Sequence, residues 1–369
     1  MSFLDRFRGR RPKSHAHSQE DLAALDVKAP GWRAIDHAVD PLYGGREPEL
    51  HWGTIVRWRL GGPDPLDGIS AYRADHPPHW HFVSYGLSEL YQKESDDKAV
   101  SGWGFELTFR LARAAGDRQV PLWPIGFLQN LARYVFQSGN VLNPGDHLDL
   151  HGPIALERET SIRAALFALD PQLDSIDTAN GRLQFVQVVG ITLDEYQATQ
   201  EWISDEMIKL LARRSPMLVT DLDRRSILED PDVRDQVTTG IAGDGSSMSG
   251  LVADVLSISA VGASLTVHLG AAVVERVLRL MAGRLGHDRS FWIRSPNAEV
   301  SFQRGDDFAW HAVEGGAHVT LSPTDVDQVF REVRAEAGRY AVGPDGRLVF
   351  EVERTVIRDR QDREIGHVG

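Results

Sequence analysis

The stretch LQFVQVVGITLDEYQATQEWISDEMIKLLAR, residues 183–213, decides the fold class. From Leu183 to Ile191 nearly every side chain is apolar, the composition of a strand buried on both faces. At Thr192 the pattern changes. Thr192 and Glu195 have the spacing of a capping box, in which each side chain satisfies a free amide of the first helical turn. Leu193, Tyr196, Ile203, Met207, Leu210 and Leu211 then supply an apolar stripe to Arg213, which predicts one long helix. A strand with no polar face running into an amphipathic helix means that sheet and helix share a core.

The same mixture recurs outward from this stretch. His51–Leu60 and Trp80–Tyr85 have the β-branched and aromatic content of strands. Trp103–Leu111 alternates Phe105, Leu107, Phe109 and Leu111 with Glu106, Thr108 and Arg110, which predicts a half-buried strand. Ile125, Leu128, Ala132 and Val135 fall at helical spacing between Pro124 and Ser138, with Gly139 placed as a C-cap. Two further helices are expected, one from Gly270 to Leu285 and one from Ser322, with Pro323 in its first turn, to Gly338. Phe291–Ile293, His318–Leu321 and Leu348–Val352 read as strands. No regular βαβ beat links these elements, so the class is α+β with mixed or antiparallel sheets rather than doubly wound. TTGIAGDGSSMSG, residues 238–250, reads as a linker or a lining loop. The expected organisation is a basic tail at 1–30, one domain at 31–249 and a second at 250–369.

Composition excludes several classes. The chain has 369 residues, 42% of them hydrophobic and none of them Cys. That rules out a disulfide scaffold, thiol nucleophiles and cysteine-bound zinc or iron–sulfur clusters. Residues 1–18 carry Arg6, Arg8, Arg10, Arg11 and Lys13 against Asp5, a balance of +4, which leaves −17 on the rest of a chain whose net charge is −13. A body that acidic repels nucleic-acid backbone and anionic membranes. Val255–Val274 has no formal charge over twenty residues, but residues 263–269 alternate apolar with polar, the period of a strand rather than a membrane helix. Met1–Ser18 lacks the apolar stretch of a signal peptide, so the expected location is the cytoplasm.

The chemistry-bearing residues form no catalytic set. GxxxxGK[ST], GxGxxG, HExxH and GxSxG are all missing. His79 and His81 flank Trp80 at i and i+2, so on a strand they share a face and could grip a metal. The alternative is two half-exposed histidines around a buried Trp80. His147 and His151 are at i and i+4, but Leu148 and Leu150 imply a strand, which holds them apart. No nucleophile accompanies Asp146 and His147. The turn at Leu60–Asp67 reads as a rigid surface loop, and Trp103, Trp123, Trp202 and Trp292 read as core. No cofactor is expected.

Several segments together resemble the Suppressor of fused family: LGGPDPLDGISAYR at 60–73, HWHFVSYGLSELY at 79–91, GWGFELTFRL at 102–111 and LARYVFQSGNVLNPGDHLDLHGP at 131–153. FVQVVGITLDE at 185–195, TDLDRR at 220–225 and the segment at 238–250 follow in the same order. The resemblance implies two α+β domains with a cleft between them, no catalytic activity, and a partner peptide held in the cleft as an extended strand. In animals the family binds Gli transcription factors and restrains Hedgehog signalling. Its ligand-reading Tyr matches Tyr134 and its Asp matches Asp146. In that reading Asp146 accepts a hydrogen bond from the ligand beside Tyr134, Leu142 is an apolar wall between them, and Leu251 and Ala253 form a facing wall. Without the resemblance, Asp146 in Asn143-Pro144-Gly145-Asp146 is a turn residue.

The chain lacks the long polar insertion that animal relatives carry after the position of Gly250, and its richness in Arg, Ala, Asp and Gly points to a bacterial source. Bacterial members are thought to act as immunity proteins in polymorphic toxin systems. The expected function is therefore a non-enzymatic, protein-binding regulatory module that clamps a partner segment or toxin domain, with no metal and no nucleic acid. The alternatives are a metal-dependent enzyme built on His79 and His81, or a scaffold that docks through its basic tail.

Overall fold

The computed structural model of the chain describes residues 29–56, 58–114, 116–358 and 363–369. Residues 1–28 of the expected tail lie outside the described residues, and Pro30 already opens a helix. The chain divides into two units, 29–196 with Ile208–Glu229, and Gln197–Met207 with Asp230–Gly369.

The first unit begins with α1 (Pro30–Tyr43), β1 (Leu50–Gly53), β2 (Gly68–Asp75), β3 (Pro78–Tyr85) and β4 (Val100–Ala112). It continues through α2 (Trp123–Ser138), β5 (His147–Asp149), β6 (Ile162–Leu169), β7 (Ile176–Thr178) and β8 (Gly181–Thr192). Then come α3 (Leu193–Glu201) and α4 (Ser204–Arg214), each of which crosses from one unit to the other. The strands make one sheet in the order β1-β2-β3-β4-β8-β6-β5, with β7 also on β8. Only the β4–β8 pair is parallel.

Both faces of this sheet are covered. Val186, Val188, Phe105, Leu107 and Phe109 pack beneath Leu128, Leu131 and Val135 of α2. On the other face Ile35, Val39 and Tyr43 of α1 meet Val83, Tyr85 and Phe185, while Leu211 of α4 meets Leu166, Val189 and Ile191. β8 is thus buried on both sides, as its apolar run requires. β4 is a strand at the expected place, but it is not half-buried: Glu106, Thr108 and Arg110 are each 0% exposed. Their face meets a second layer rather than water, and partners distant in sequence satisfy their polar atoms. The 60–67 loop is likewise held down, because Arg133 of α2 donates to Pro63 O at 2.9 Å and pairs with Asp64 at 2.6 Å.

Several boundaries differ from expectation. The expected 192–213 helix breaks into α3 and α4 around Trp202, which is 3% exposed and whose carbonyl accepts from Ser247 N at 3.0 Å. The capping interaction at its start is one-sided: Glu195 Oε2 accepts from Thr192 N at 3.0 Å, while the Thr192 hydroxyl donates to Asp194. The strand expected at His51–Leu60 stops at Gly53, and Trp58–Leu60 is a single 3-10 turn. Of the tryptophans read as core, Trp103, Trp123 and Trp292 are only partly buried.

The second unit opens with α5 (Pro231–Asp244), which overturns the reading of 238–250 as linker from its start. Asp230 caps the helix by accepting from Asp232 N at 3.0 Å. Gly240 disguised it. A Cβ there would lie 2.2 Å from the Trp202 ring, so the helix tolerates a glycine in order to receive an indole. Next come β9 (Gly250–Val252), β10 (Leu256–Val261), β11 (Ser264–Gly270), α6 (Ala271–Leu285), β12 (Phe291–Arg294), β13 (Glu299–Arg304), β14 (Ala309–Val313) and β15 (Gly316–Leu321). α7 (Pro323–Glu332), β16 (Gly338–Val342), β17 (Leu348–Glu353), β18 (Thr355–Arg358) and β19 (Glu364–Val368) complete the unit. The capping box of α7 is complete, with Ser322 and Asp325 bonded reciprocally, but the helix ends at Glu332 rather than at Gly338 because Val333 is extended.

Two mixed sheets, β10-β11-β17-β16 and β14-β15-β13-β12-β9, share one core with α6 and α7. The Phe302 and Phe350 rings stack across that core at 6.0 Å. The uncharged 255–274 segment forms the β10–β11 hairpin and the first turn of α6. Among the described residues no helix is long and apolar enough to cross a membrane.

Candidate functional site

β5 is the last strand of its sheet, and its start is fixed by the Asn143–Asp146 turn. Asp146 Oδ2 accepts from Asn143 N at 2.7 Å, and Asp146 N donates to Asn143 O at 3.0 Å. Gly145, at φ 92, donates to Phe167 O at 2.8 Å, and Phe167 N returns a bond to Asp146 O at 2.9 Å. Asp146 is therefore a turn residue. It is also exposed, and its Oδ1 has no protein donor among the described residues.

The ladder decides which backbone groups of β5 are spent. Asp146 and Leu150 bond to β6 through Phe167 and Arg163, and the strand alternates between them. The peptide groups of His147 and Asp149 therefore point away from β6, along an edge with no strand beyond it among the described residues. This edge is the signal that sequence reading missed, since adjacency in a sheet is not written in a three-residue strand.

The other residues expected here are placed as follows. Tyr134, half-buried on α2, accepts from Asn140 Nδ2 at 2.9 Å through its hydroxyl. Tyr134 and Asp146 thus bracket one short segment, 140–146. Leu142, inside that segment, is 3% exposed and packs into the core under the sheet, so it anchors the loop and offers almost no surface.

In the second unit β9 is also a terminal strand, paired in parallel with β12. Trp292 N donates to Ser249 O at 3.0 Å and Ala253 N to Arg294 O at 2.8 Å. By alternation Leu251 also faces β12, and the peptide groups of Gly250 and Val252 face the free edge. The side chains of Leu251 and Ala253, each 2% exposed, belong to that unit's core, whereas Val252 is 66% exposed.

The histidines are not half-exposed. His79 and His81 are 2% and 0% exposed, with ring centroids 6.5 Å apart. His79 Nδ1 lies 2.7 Å from Pro77 O. His81 Nδ1 lies 2.7 Å from the Tyr43 hydroxyl, and its Nε2 is 3.5 Å from Asp170 Oδ2. Burial pushes the pKa of each down to about 4, with the Arg110 charge adding to the shift, so both are neutral at pH 7. Asp170 is gripped by Arg110 through both oxygens, at 2.5 and 3.0 Å, and by the Thr108 hydroxyl at 2.7 Å. Burial pushes the Asp170 carboxyl up, and His81 with Arg110 more than offsets this and holds it well below the usual carboxylate range. This cluster is buried, and its hydrogen bonds leave His79 Nε2, His81 Nε2 and Arg110 Nε without a partner among the described residues. His147 packs edge-on to Tyr196 at 5.4 Å, and His151 sits 3.6 Å from Asp149, so these two are not drawn together either. No group of three metal-ligating side chains occurs among the described residues.

Residues 62–225 match the profile of the Suppressor of fused protein family. Over 240 residues the chain is 40% identical to the Suppressor of fused homologs of Homo sapiens and Mus musculus, a match covering 60% of this chain and 49% of each relative. The chain belongs to the Suppressor of fused family. It spans about half the length of the curated relatives it matches. The crystal structure of Drosophila Suppressor of Fused has the same fold, with a TM-score of 0.75 at 23% identity over 89% of this chain and 97% of that one. A chain of the Sufu–Fu complex crystal structure matches 59% of this chain and 99% of its own length, with a TM-score of 0.54 and 31% identity. The Suppressor of fused profile takes in Tyr134, Leu142, Asp146 and β5, whereas Leu251, Ala253 and β9 lie beyond it.

Proposed function

We propose that the chain is a non-enzymatic, protein-binding regulatory module that captures an extended partner segment as an added β-strand. The observation that carries this reading is the edge position of β5, where the Asp149 peptide group points away from β6 beside the unspent Asp146 Oδ1. Main-chain bonds along such an edge supply affinity, and a carboxylate at its head selects a donor on the partner. β9, taken within its own unit, is a terminal strand of the same kind. A relative of this chain was crystallised in the Sufu–Fu complex, which supports a protein partner.

A narrower form of the reading makes the partner a toxin domain and the module its cytosolic immunity protein. The −17 carried outside residues 1–18 suits a basic partner of that kind. Co-expression with a toxin-like reading frame adjacent to this gene, scored by rescue of growth, tests it.

The strand-capture reading is tested by panning random peptides displayed on phage against the full chain, then measuring the selected peptide on two variants. Asp149→Pro removes an outward amide without touching the β6 ladder, and Asp146→Ala removes the acceptor. Both are expected to keep the wild-type melting temperature and lose peptide affinity. Undiminished affinity in both variants would remove the β5 edge from the site.

A further inference from the structure

The face of the five-stranded sheet opposite its core carries one row of side chains in cross-strand register. His311 on β14 pairs with His318 on β15, His318 with Ser301 on β13, and Ser301 with Trp292 on β12. The two histidines end the hairpin sequence HAVEGGAH, so the turn brings residues seven apart directly opposite one another. Both are exposed, and their ring centroids are 5.2 Å apart. Ser301 Oγ is hydrogen-bonded to His318 Nδ1.

We propose that His311 and His318 form an exchangeable two-imidazole site for a divalent transition cation such as zinc. Directly opposite residues of antiparallel strands have Cβ atoms about 4.5–5.5 Å apart. Zinc–nitrogen bonds of about 2.0–2.1 Å in tetrahedral array need the two ligating nitrogens about 3.4 Å apart, which side-chain rotation reaches from the present ring separation. The serine supplies what such a ligand requires. With Ser301 Oγ as acceptor, His318 Nδ1 keeps the proton, and the Nε2 lone pair is turned outward, as a hydrogen-bonded partner does for a metal-bound histidine. Water completes the coordination, because the described residues offer no third ligand. The row holds no carboxylate, so hard cations such as magnesium or calcium gain nothing there. His79 and His81 make the contrast: they also share a strand face, but they are buried and committed to Pro77, Tyr43 and Asp170.

The test is titration calorimetry of zinc chloride into the untagged full chain, with His311→Ala, His318→Ala, the double variant and Ser301→Ala. All three positions are on the surface of strands, so the variants are expected to fold, which circular dichroism checks. The wild type is expected to bind one equivalent that each histidine variant weakens at least tenfold and the double variant abolishes. Ser301→Ala is expected to weaken it roughly tenfold. Zinc should raise the melting temperature of the wild type and leave that of the double variant unmoved, and magnesium should give no heat. An isotherm unchanged in the double variant, or no zinc binding by the wild type below millimolar concentration, would overturn the assignment. Unchanged affinity in Ser301→Ala would remove the orienting role of the serine.

Discussion

The Tyr43 hydroxyl and His81 Nδ1 lie 2.7 Å apart, which ties the last turn of α1 to a buried polar chain that runs through Asp170 to Arg110. The chain crosses the middle of the covered sheet face, with apolar packing under α1 on one side and under α4 on the other. Every link needs its neighbours, because a polar group stranded in a low dielectric costs more than its bond returns.

Stability is expected to fall on mild acidification. His79 and His81 have folded-state pKa values of about 4 against 6.5 for an unburied imidazole. Below pH 6.5 the unfolded chain takes up protons that the folded chain refuses, so their contribution is complete above 6.5 and is lost as pH falls toward 4. Each histidine removes up to about 1.4 kcal/mol per pH unit in that window. Burial raises the Glu106 carboxyl, which acts in the opposite sense because the folded state then binds its proton more readily. Urea midpoints between pH 7 and pH 4.5 check the prediction. A flat profile, or one with the same slope in His79→Gln/His81→Gln, would contradict it.

Arg110→Ala should destabilise the first unit severely. It strands Asp170, 7% exposed, without its cation, a change that costs about 3–5 kcal/mol in buried pairs. The Thr108 hydroxyl and the amides of Gln172 and Leu173 remain as donors to Asp170, which places the loss toward the lower end. Adding Asp170→Asn to Arg110→Ala removes the uncompensated charge and should recover part of that loss. A double variant no more stable than the single one would refute the account.

How much of this was legible follows from where the information sits. The alternation of β4 is local, so the strand could be read from Phe105 to Leu111; that Arg110 and Thr108 face protein depends on Asp170, about sixty residues later in the chain. Ser322 and Asp325 announced α7 because a capping box lies within four residues. α5 was hidden because Gly240, read locally, breaks a helix, and its reason is Trp202. At the candidate site, the family resemblance singled out Tyr134 and Asp146. It could not say that Leu142, Leu251 and Ala253 are core, or that the peptide groups of Asp149, Gly250 and Val252 are the ones turned away from the neighbouring strand, since both follow from strand order.

Gly240→Ala sets two effects against each other. In an exposed helix interior alanine is favoured over glycine by about 1 kcal/mol. Here the new Cβ would stand 2.2 Å from the Trp202 ring, whose Nε1 also donates to Asp244 Oδ2 at 2.9 Å. Overpacking of this kind costs about 1–3 kcal/mol, so the net effect is destabilising. Thermal unfolding of the second unit, followed by tryptophan fluorescence, should show a lower midpoint. A raised midpoint would mean that the indole moves aside freely.

Asp146→Ala should separate binding from stability. The side chain is exposed and, among the described residues, bonds only to Asn143, so the melting temperature should move little. A lost hydrogen bond to a charged acceptor costs about 1.5–3 kcal/mol, which corresponds to roughly 10–150-fold in the affinity for a captured peptide. A large fall in melting temperature would make the residue purely a turn former.

Glu106 separates the need for an acceptor from the need for a charge. Its carboxylate is 0% exposed and pairs with no cation among the described residues; instead it accepts from Gly86 N and Ser88 N at 2.9 Å, from Leu87 N at 3.4 Å and from the Ser84 and Ser88 hydroxyls at 2.6 Å. Those donors fix the 86–88 turn, so the side chain acts as a template for the loop. Glu106→Gln keeps an acceptor oxygen for Gly86 and Ser88 and offers an NH2 that the Ser84 hydroxyl can accept. It also spares the cost of desolvating a charge, and should therefore cost less than about 2 kcal/mol. Glu106→Leu keeps the volume but leaves three backbone amides and two hydroxyls unanswered, at about 1–3 kcal/mol for each group that water cannot reach. The expected order of urea midpoints is wild type, then Gln, then a much lower Leu, with amide exchange at 86–88 accelerated in Leu alone. Equal midpoints for Gln and Leu would show that the charge, and not the acceptor geometry, holds the turn.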